Sequence, residues 1–126
     1  MRQHIMRFLS AGAVVLALSG CMTFNHMMKH YSDDKTVTGK VKTTDGDFKV
    51  MDNAGEGRMM ITFAGMGPVT QGTPPLPWVR GAAHAWLAET GRADRCTLIE
   101  GYLFQAPQYE FRYQCDTPGD TPAIAQ

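Results

Sequence analysis

The chain has 126 residues, with 12 Lys and Arg against 12 Asp and Glu and 44% hydrophobic residues. A balanced charge without a run of one sign gives no footprint for nucleic acid or for an anionic membrane surface. At this size one small core is the limit, so two domains are excluded.

Met1 to Arg7 carries Arg2 and Arg7, Phe8 to Leu18 is short and largely apolar, and the small residues Ser19 and Gly20 lead into Cys21. The apolar run is too short for a transmembrane helix, which needs about 20 residues. Leu18-Ser19-Gly20-Cys21 resembles the lipobox of bacterial lipoproteins. The resemblance implies that residues 1–20 are a signal peptide removed before Cys21. It also implies that Cys21 receives a diacylglyceryl thioether and that the new amino group is acylated. Several acyl chains anchor stably, because each buried methylene contributes about 0.8 kcal/mol and one chain alone is marginal. An ordinary signal peptide followed by an incidental cysteine is the competing reading. Cleavage leaves 106 residues, in which ten Lys and Arg face twelve Asp and Glu.

Residues 21–35 read as the lipidated cysteine and a polar tether, with His26, Lys29, His30, Asp33 and Asp34 and no alternating pattern. In enteric-type bacteria, lipoproteins with aspartate directly after the cysteine stay at the inner membrane. This chain has Met22 there, so the resemblance implies the outer membrane, with the domain facing the periplasm.

Thr36 to Thr43 alternates around Val37, Gly39 and Val41 and predicts a strand with one buried face. Asp45-Gly46 suits a two-residue type I′ turn, with Phe48 to Asp52 as the partner strand. That turn puts Val41 opposite Val50. Asn53 to Gly57 is a second turn, and Met59 to Phe63 a third strand. Ala64 to Leu76 holds too many Gly and Pro to be regular, and Pro68 directly after Gly65-Met66-Gly67 excludes a dinucleotide-binding turn.

Pro77 to Thr90 predicts a helix, because Val79, Ala82, Ala83, Trp86 and Leu87 fall at i, i+3, i+4, i+7 and i+8, with Gly91 at the end. Its apolar stripe must cover the sheet. Cys96 to Phe104 and Gln108 to Cys115 predict a closing hairpin in which Cys96 lies opposite Cys115. With Cys21 assigned to lipid these two cysteines form an even pair in an exported chain, and a disulfide is expected. Free thiols or a two-cysteine metal site are the alternatives, though no third soft ligand is near in sequence. In this register Glu100 shares a face with Leu98, Tyr102, Tyr109, Phe111 and Tyr113. A bulge near Gly101, turning Glu100 out and bringing Ile99 and Leu103 in, is favoured over a buried acid.

Catalytic chemistry is poorly supplied. Ser32 is the one serine left after cleavage, His84 lies on the outward side of the helix without a nucleophile, and Glu100 and Glu110 have no cleft for glycoside cleavage. His26 and His30, with Met27 and Met28 between them, are weak copper candidates that share a face only if the tether is helical. Trp78, Tyr102, Tyr109 and Tyr113 are the candidate ligand or partner surface, weighed against service in the core.

The expected fold is α+β: a small antiparallel sheet of about five strands in the order β-β-β-α-β-β, one helix on a face, and one disulfide. The domain spans residues 36–117, with a loose tail at 118–126. The expected protein is a non-enzymatic envelope lipoprotein without cofactor or resident metal. It is held to the membrane through Cys21 and presents the domain to an envelope protein partner. The alternative is a small ligand-binding or inhibitor module for cell-wall glycan, a lysozyme-type enzyme or copper.

Overall fold

The computed structural model describes residues 22–64 and 73–116. Residues 1–20, expected as a signal peptide, Cys21, most of the Gly/Pro-rich connection and the expected tail at 118–126 lie outside the described residues. Residues 22–30 form a helix, α1. It is followed by β1 (Val37–Thr43), β2 (Gly46–Asn53), β3 (Arg58–Phe63), α2 (Leu76–Glu89), β4 (Cys96–Gln105) and β5 (Gln108–Cys115). The strands form one antiparallel sheet in the order β1-β2-β3-β5-β4. The chain leaves β3, crosses through α2 to the far edge at β4, and returns as β5 to fill the gap beside β3.

Hydrophobic periodicity accounts for α2 and the face it covers. Val79, Ala82, Ala83, Trp86 and Leu87 are all buried, and they pack on Val41, Phe48, Val50, Met59, Ile61 and Phe111 of the sheet. The helix ends as its glycine requires: Gly91 has φ 74°, its N–H bonds to Ala88 O at 3.1 Å, and Arg92 N–H bonds to Leu87 O at 2.8 Å. The disulfide joins Cys96 to Cys115, which face each other across β4 and β5.

Three local expectations change. In the first hairpin Thr44 and Asp45 are the turn residues, so Val41 pairs with Phe48 and Gly39 with Val50. The shift is two residues and leaves every side chain on its expected face. No non-glycine residue among those described has positive φ, so a type I′ turn is absent there. Instead the Thr43 hydroxyl accepts from Asp45 N–H and donates to Gly46 O, both at 3.1 Å. Gly46 is drawn into the strand because the Phe63 ring lies against it, where a Cβ would be 2.6 Å from Phe63 Cε2.

In the second hairpin the bulge falls at Ile99, between the Leu98–Tyr113 and Glu100–Arg112 pairs. It turns Glu100 outward, as expected, but Ile99 and Leu103 remain 58% and 48% exposed. Gly101 takes the inward position instead, because the Phe111 ring fills the space a side chain would need. Tyr102 moves with Glu100 to the face away from α2.

The third change is the largest. The stretch expected as a polar tether is folded over residues 22–30, and α1 lies on the sheet face opposite α2. α1 therefore covers part of the second face, over Asn53 and Glu110, while Thr38, Lys40, Lys42 and Lys49 on that face stay exposed. The β2–β3 turn is tied to β5 as well, since Gly57, at φ 66°, accepts Tyr113 N–H at 2.9 Å. A Cβ on Gly57 would sit 2.3 Å from the Tyr113 carbonyl oxygen. Gly57→Ala is expected to destabilise by about 2 kcal/mol or more, from the left-handed backbone and a clash with main chain that cannot rotate away. Gly81→Ala, on α2 with open space around it, should instead stabilise by about 0.5–1 kcal/mol. Urea midpoints of the two variants check both signs.

Candidate functional site

The most concentrated polar chemistry lies between α1 and the sheet, around Glu110. Alternation along β5 points Tyr109, Phe111 and Tyr113 toward α2, so Glu110 projects from the other face. There α1 covers it completely, and its exposure is 0%. An isolated carboxylate would not tolerate such burial, and Glu110 is not isolated. Its Oε2 stands 2.6 Å from His26 Nε2 and accepts from the Tyr31 hydroxyl at 2.8 Å. Its Oε1 accepts from the Tyr102 hydroxyl and from Arg58 Nη1 at 3.4 Å. Four donors occupy the lone-pair sites that one carboxylate offers.

Burial pushes the Glu110 carboxyl up, but hydrogen bonds from Tyr102, His26 and Tyr31 outweigh it and hold the group below the usual carboxylate range. An ionised carboxylate only accepts, so His26 carries a proton on Nε2. The same contacts act in reverse on the phenols. Burial and then the hydrogen bond to Glu110 push Tyr31 well above its ordinary value, and they push Tyr102 up to about 12.

The network continues along α1. His30 Nδ1 lies 2.7 Å from Glu56 Oε1, and Arg58 Nε lies 3.8 Å from that oxygen while its Nη1 reaches Glu110. The hydrogen bond from His30 holds Glu56 below the usual carboxylate range. Asn53 donates to the His30 carbonyl at 2.6 Å and to Glu56 Oε2 at 2.8 Å, which satisfies a carbonyl in the last turn of α1. The His26 ring stacks on Phe104 with centroids 4.4 Å apart. Beside it opens a cleft of about 450 Å³ lined by Met22, Thr23, His26, Phe104 and Gln105.

A second buried acid lies on the α2 side. Asp52 accepts from Trp86 Nε1 at 2.8 Å, Arg92 Nη2 at 2.5 Å and the Tyr113 hydroxyl at 2.5 Å. Arg92 Nη1 also donates to Tyr113 Oη at 3.0 Å. Burial and the bond to Asp52 push the Tyr113 phenol well above its ordinary value. The cluster ties the end of α2 to β2 and β5. Tyr113→Phe removes one donor to Asp52 and one acceptor of Arg92. A loss of about 1.5–3 kcal/mol, the range for hydrogen bonds to charged groups, is expected in its denaturation midpoint.

The four aromatic residues named from sequence do not form one surface. Tyr109 and Tyr113 are buried beneath α2, with the Tyr109 hydroxyl bonded to Pro74 O at 2.6 Å. Trp78 packs at the margin of that core, and Tyr102 stands on the opposite face beside Glu110. His26 and His30 do share a face of α1, with ring centroids 4.7 Å apart, but each has a ring nitrogen engaged with a carboxylate. Among the described residues, no group of three or more His, Cys, Asp and Glu side chains is disposed to hold a metal. His84 is exposed, and Ser32 bonds to Asp34 at 2.8 Å.

The residues that sequence reasoning missed are Glu110 as a buried hub, Tyr31, Arg58, Asp52 and Arg92. In an alternating strand Glu110 has the signature of any solvent-facing residue, and only the spacing of His26 and His30 hinted at what covers it. Compared with known proteins, the chain matches no family model, no curated protein and no solved structure.

Proposed function

We propose that the protein is a membrane-anchored envelope lipoprotein without enzymatic activity, held through lipid on Cys21 and presenting its domain to a protein partner on the periplasmic side of the outer membrane. The observation that carries this reading is the sequence Leu18-Ser19-Gly20-Cys21 after a short apolar run and two arginines. The chemistry of the interior supports it. Glu110 and Asp52 each direct their oxygens to donors of the same chain, an arrangement that suits holding elements together more than turning over a substrate.

In-cell cross-linking followed by affinity purification of the tagged protein tests it, with Cys21→Ser as the mislocalised control. One dominant envelope protein should be recovered with the lipidated form and lost with the control. Recovery of nothing specific would remove the partner from the reading.

A second reading, a small ligand-binding or inhibitor module, draws on the cleft beside His26 and Phe104. Peptidoglycan fragments entering it would shift the NMR signals of Thr23, His26, Phe104 and Gln105, and no change at millimolar ligand would count against it. Copper is the weaker form of this reading, because both histidines already bond to carboxylates.

A further inference from the structure

We infer that the outward face of α1 is a contact surface for the lipid bilayer, so that the domain lies against the membrane instead of hanging from it. The inference deepens the lipoprotein reading and rests on it.

The argument begins with which way α1 is turned. Thr23, His26, Met27 and His30, at i, i+3, i+4 and i+7, face the sheet and are half-buried. Phe24 and Met28 face outward and are 64% and 57% exposed, while Met22, 72% exposed, borders the cleft beside His26. Burial of apolar surface alone would rotate the helix about half a turn, placing Phe24 and Met28 on the sheet and both histidines in solvent. The observed orientation is locked against that rotation by His26 to Glu110, His30 to Glu56, and Tyr31 to Glu110. A helix fastened by polar bonds with Phe24 and Met28 facing away has an outer face made for another apolar phase.

What that phase is follows from the position of α1. Cys21 directly precedes Met22, so no length of chain separates a lipidated Cys21 from the helix. At about 1.5 Å of rise per residue, Phe24 and Met28 lie within roughly 10 Å of that end along the helix axis. Phe24 and Met28 are four residues apart and form one ridge. Asn25 and Lys29 are exposed beside them, and α1 itself carries no carboxylate; the exposed Asp33 and Asp34 follow its C-terminal end. Lys29 can lay its apolar stem along the surface and keep its ammonium among the headgroups.

No described helix is long and apolar enough to cross a membrane. The nine described residues of α1, with two outward apolar side chains, would not hold a chain to a bilayer unaided. With Cys21 already in the lipid, the second contact becomes intramolecular and two side chains suffice. The contact rests on apolar side chains, Phe24 and Met28.

The test uses the full lipidated protein in vesicles of phosphatidylethanolamine and phosphatidylglycerol. An environment-sensitive fluorophore is attached in turn to Phe24→Cys, Met28→Cys and, on the far side of the molecule, Glu89→Cys. Cys96 and Cys115 are bridged and Cys21 is acylated, so the new thiol is the one labelled. Labels at 24 and 28 should be quenched by nitroxide-bearing lipid and protected several-fold from aqueous iodide relative to 89. With Cys21 acylated by mass, equal iodide access at all three positions overturns the inference and leaves the lipoprotein reading standing. Iodide protection at 24 and 28 without quenching from the lipid overturns it in favour of a second copy or another protein. An unmodified Cys21 in a protein that stays in solution removes both readings.

Discussion

Glu110→Ala is expected to destabilise the domain by about 3–5 kcal/mol, the range for removing one member of a buried charged network. The variant leaves His26, Tyr31, Tyr102 and Arg58 facing a space with no acceptor. These donors come from α1, the segment after it, β3 and β4, so the loss should not be uniform. Amides of residues 22–31 should lose protection from hydrogen exchange first, while β2 and β3 keep theirs. Glu110→Gln keeps the shape and one acceptor oxygen and should cost less. An alanine variant within about 1 kcal/mol of the parent, below the usual spread of damaging core changes, would mean that α1 is not fastened through this carboxylate.

The same residue sets an acid dependence whose sign follows from the direction of its shift. The native carboxyl is held below its ordinary value of 4.5 by its donors, in spite of burial. Its contribution is therefore complete above that value and is lost as the pH falls through the lower native pKa. Urea midpoints measured from neutral pH downward should fall more steeply below about pH 4.5 in the parent than in Glu110→Gln, which has no carboxyl to titrate there. Parallel curves would assign the acid sensitivity to other groups.

Removing the disulfide is the second large effect. Cys96 and Cys115 are 19 residues apart, and in the chain-entropy model a loop of that size contributes about 3 kcal/mol. Against a total of about 5–15 kcal/mol for a domain, that is a substantial share. Cys96→Ala with Cys115→Ala, or reduction of the parent, should lower the urea midpoint accordingly. The bond also closes the open end of the β4–β5 hairpin, where Asp116 N–H still pairs with Arg95 O at 2.9 Å. Fraying of that end by hydrogen exchange should accompany the loss. In the unreduced protein neither cysteine should react with a thiol reagent.

The elements that could be read in advance share one physical origin. The α2 stripe, the meander of β1 to β3 and the final hairpin are all held by apolar side chains on one face, and burial of that kind leaves a period of 3.6 or 2 in the sequence. The bulge in β4 was legible for a related reason: a carboxylate falling in an apolar row signals that the row must shift. Its position at Ile99 was not, because that depends on the Phe111 ring lying over Gly101.

Helix α1 left no such mark. Its sheet-facing positions are Thr, His, Met and His, so a helix of ordinary spacing reads as a polar linker. Its partners are 23 to 84 residues away in the chain. A hydrogen bond between His26 and Glu110 has no local signature, since both residue types are equally at home in solvent. Asp52 was hidden in the same way: it stands in phase with Phe48 and Val50, and its partners Trp86, Arg92 and Tyr113 are 34 to 61 residues away.

By itself the sequence determined an α+β chain with one apolar layer between sheet and helix, a cysteine pair in register, and an N-terminal segment resembling a lipoprotein signal. Apolar periodicity and cysteine count are properties of neighbours along the chain, which is why these could be read without coordinates. The tertiary structure alone decided that α1 covers part of the second face of the sheet, that Glu110 is buried there, and that α1 turns its histidines inward and Phe24 outward. Those outcomes depend on polar groups far apart in sequence being brought within 3 Å of one another, and hydrogen bonding carries no periodicity to announce them.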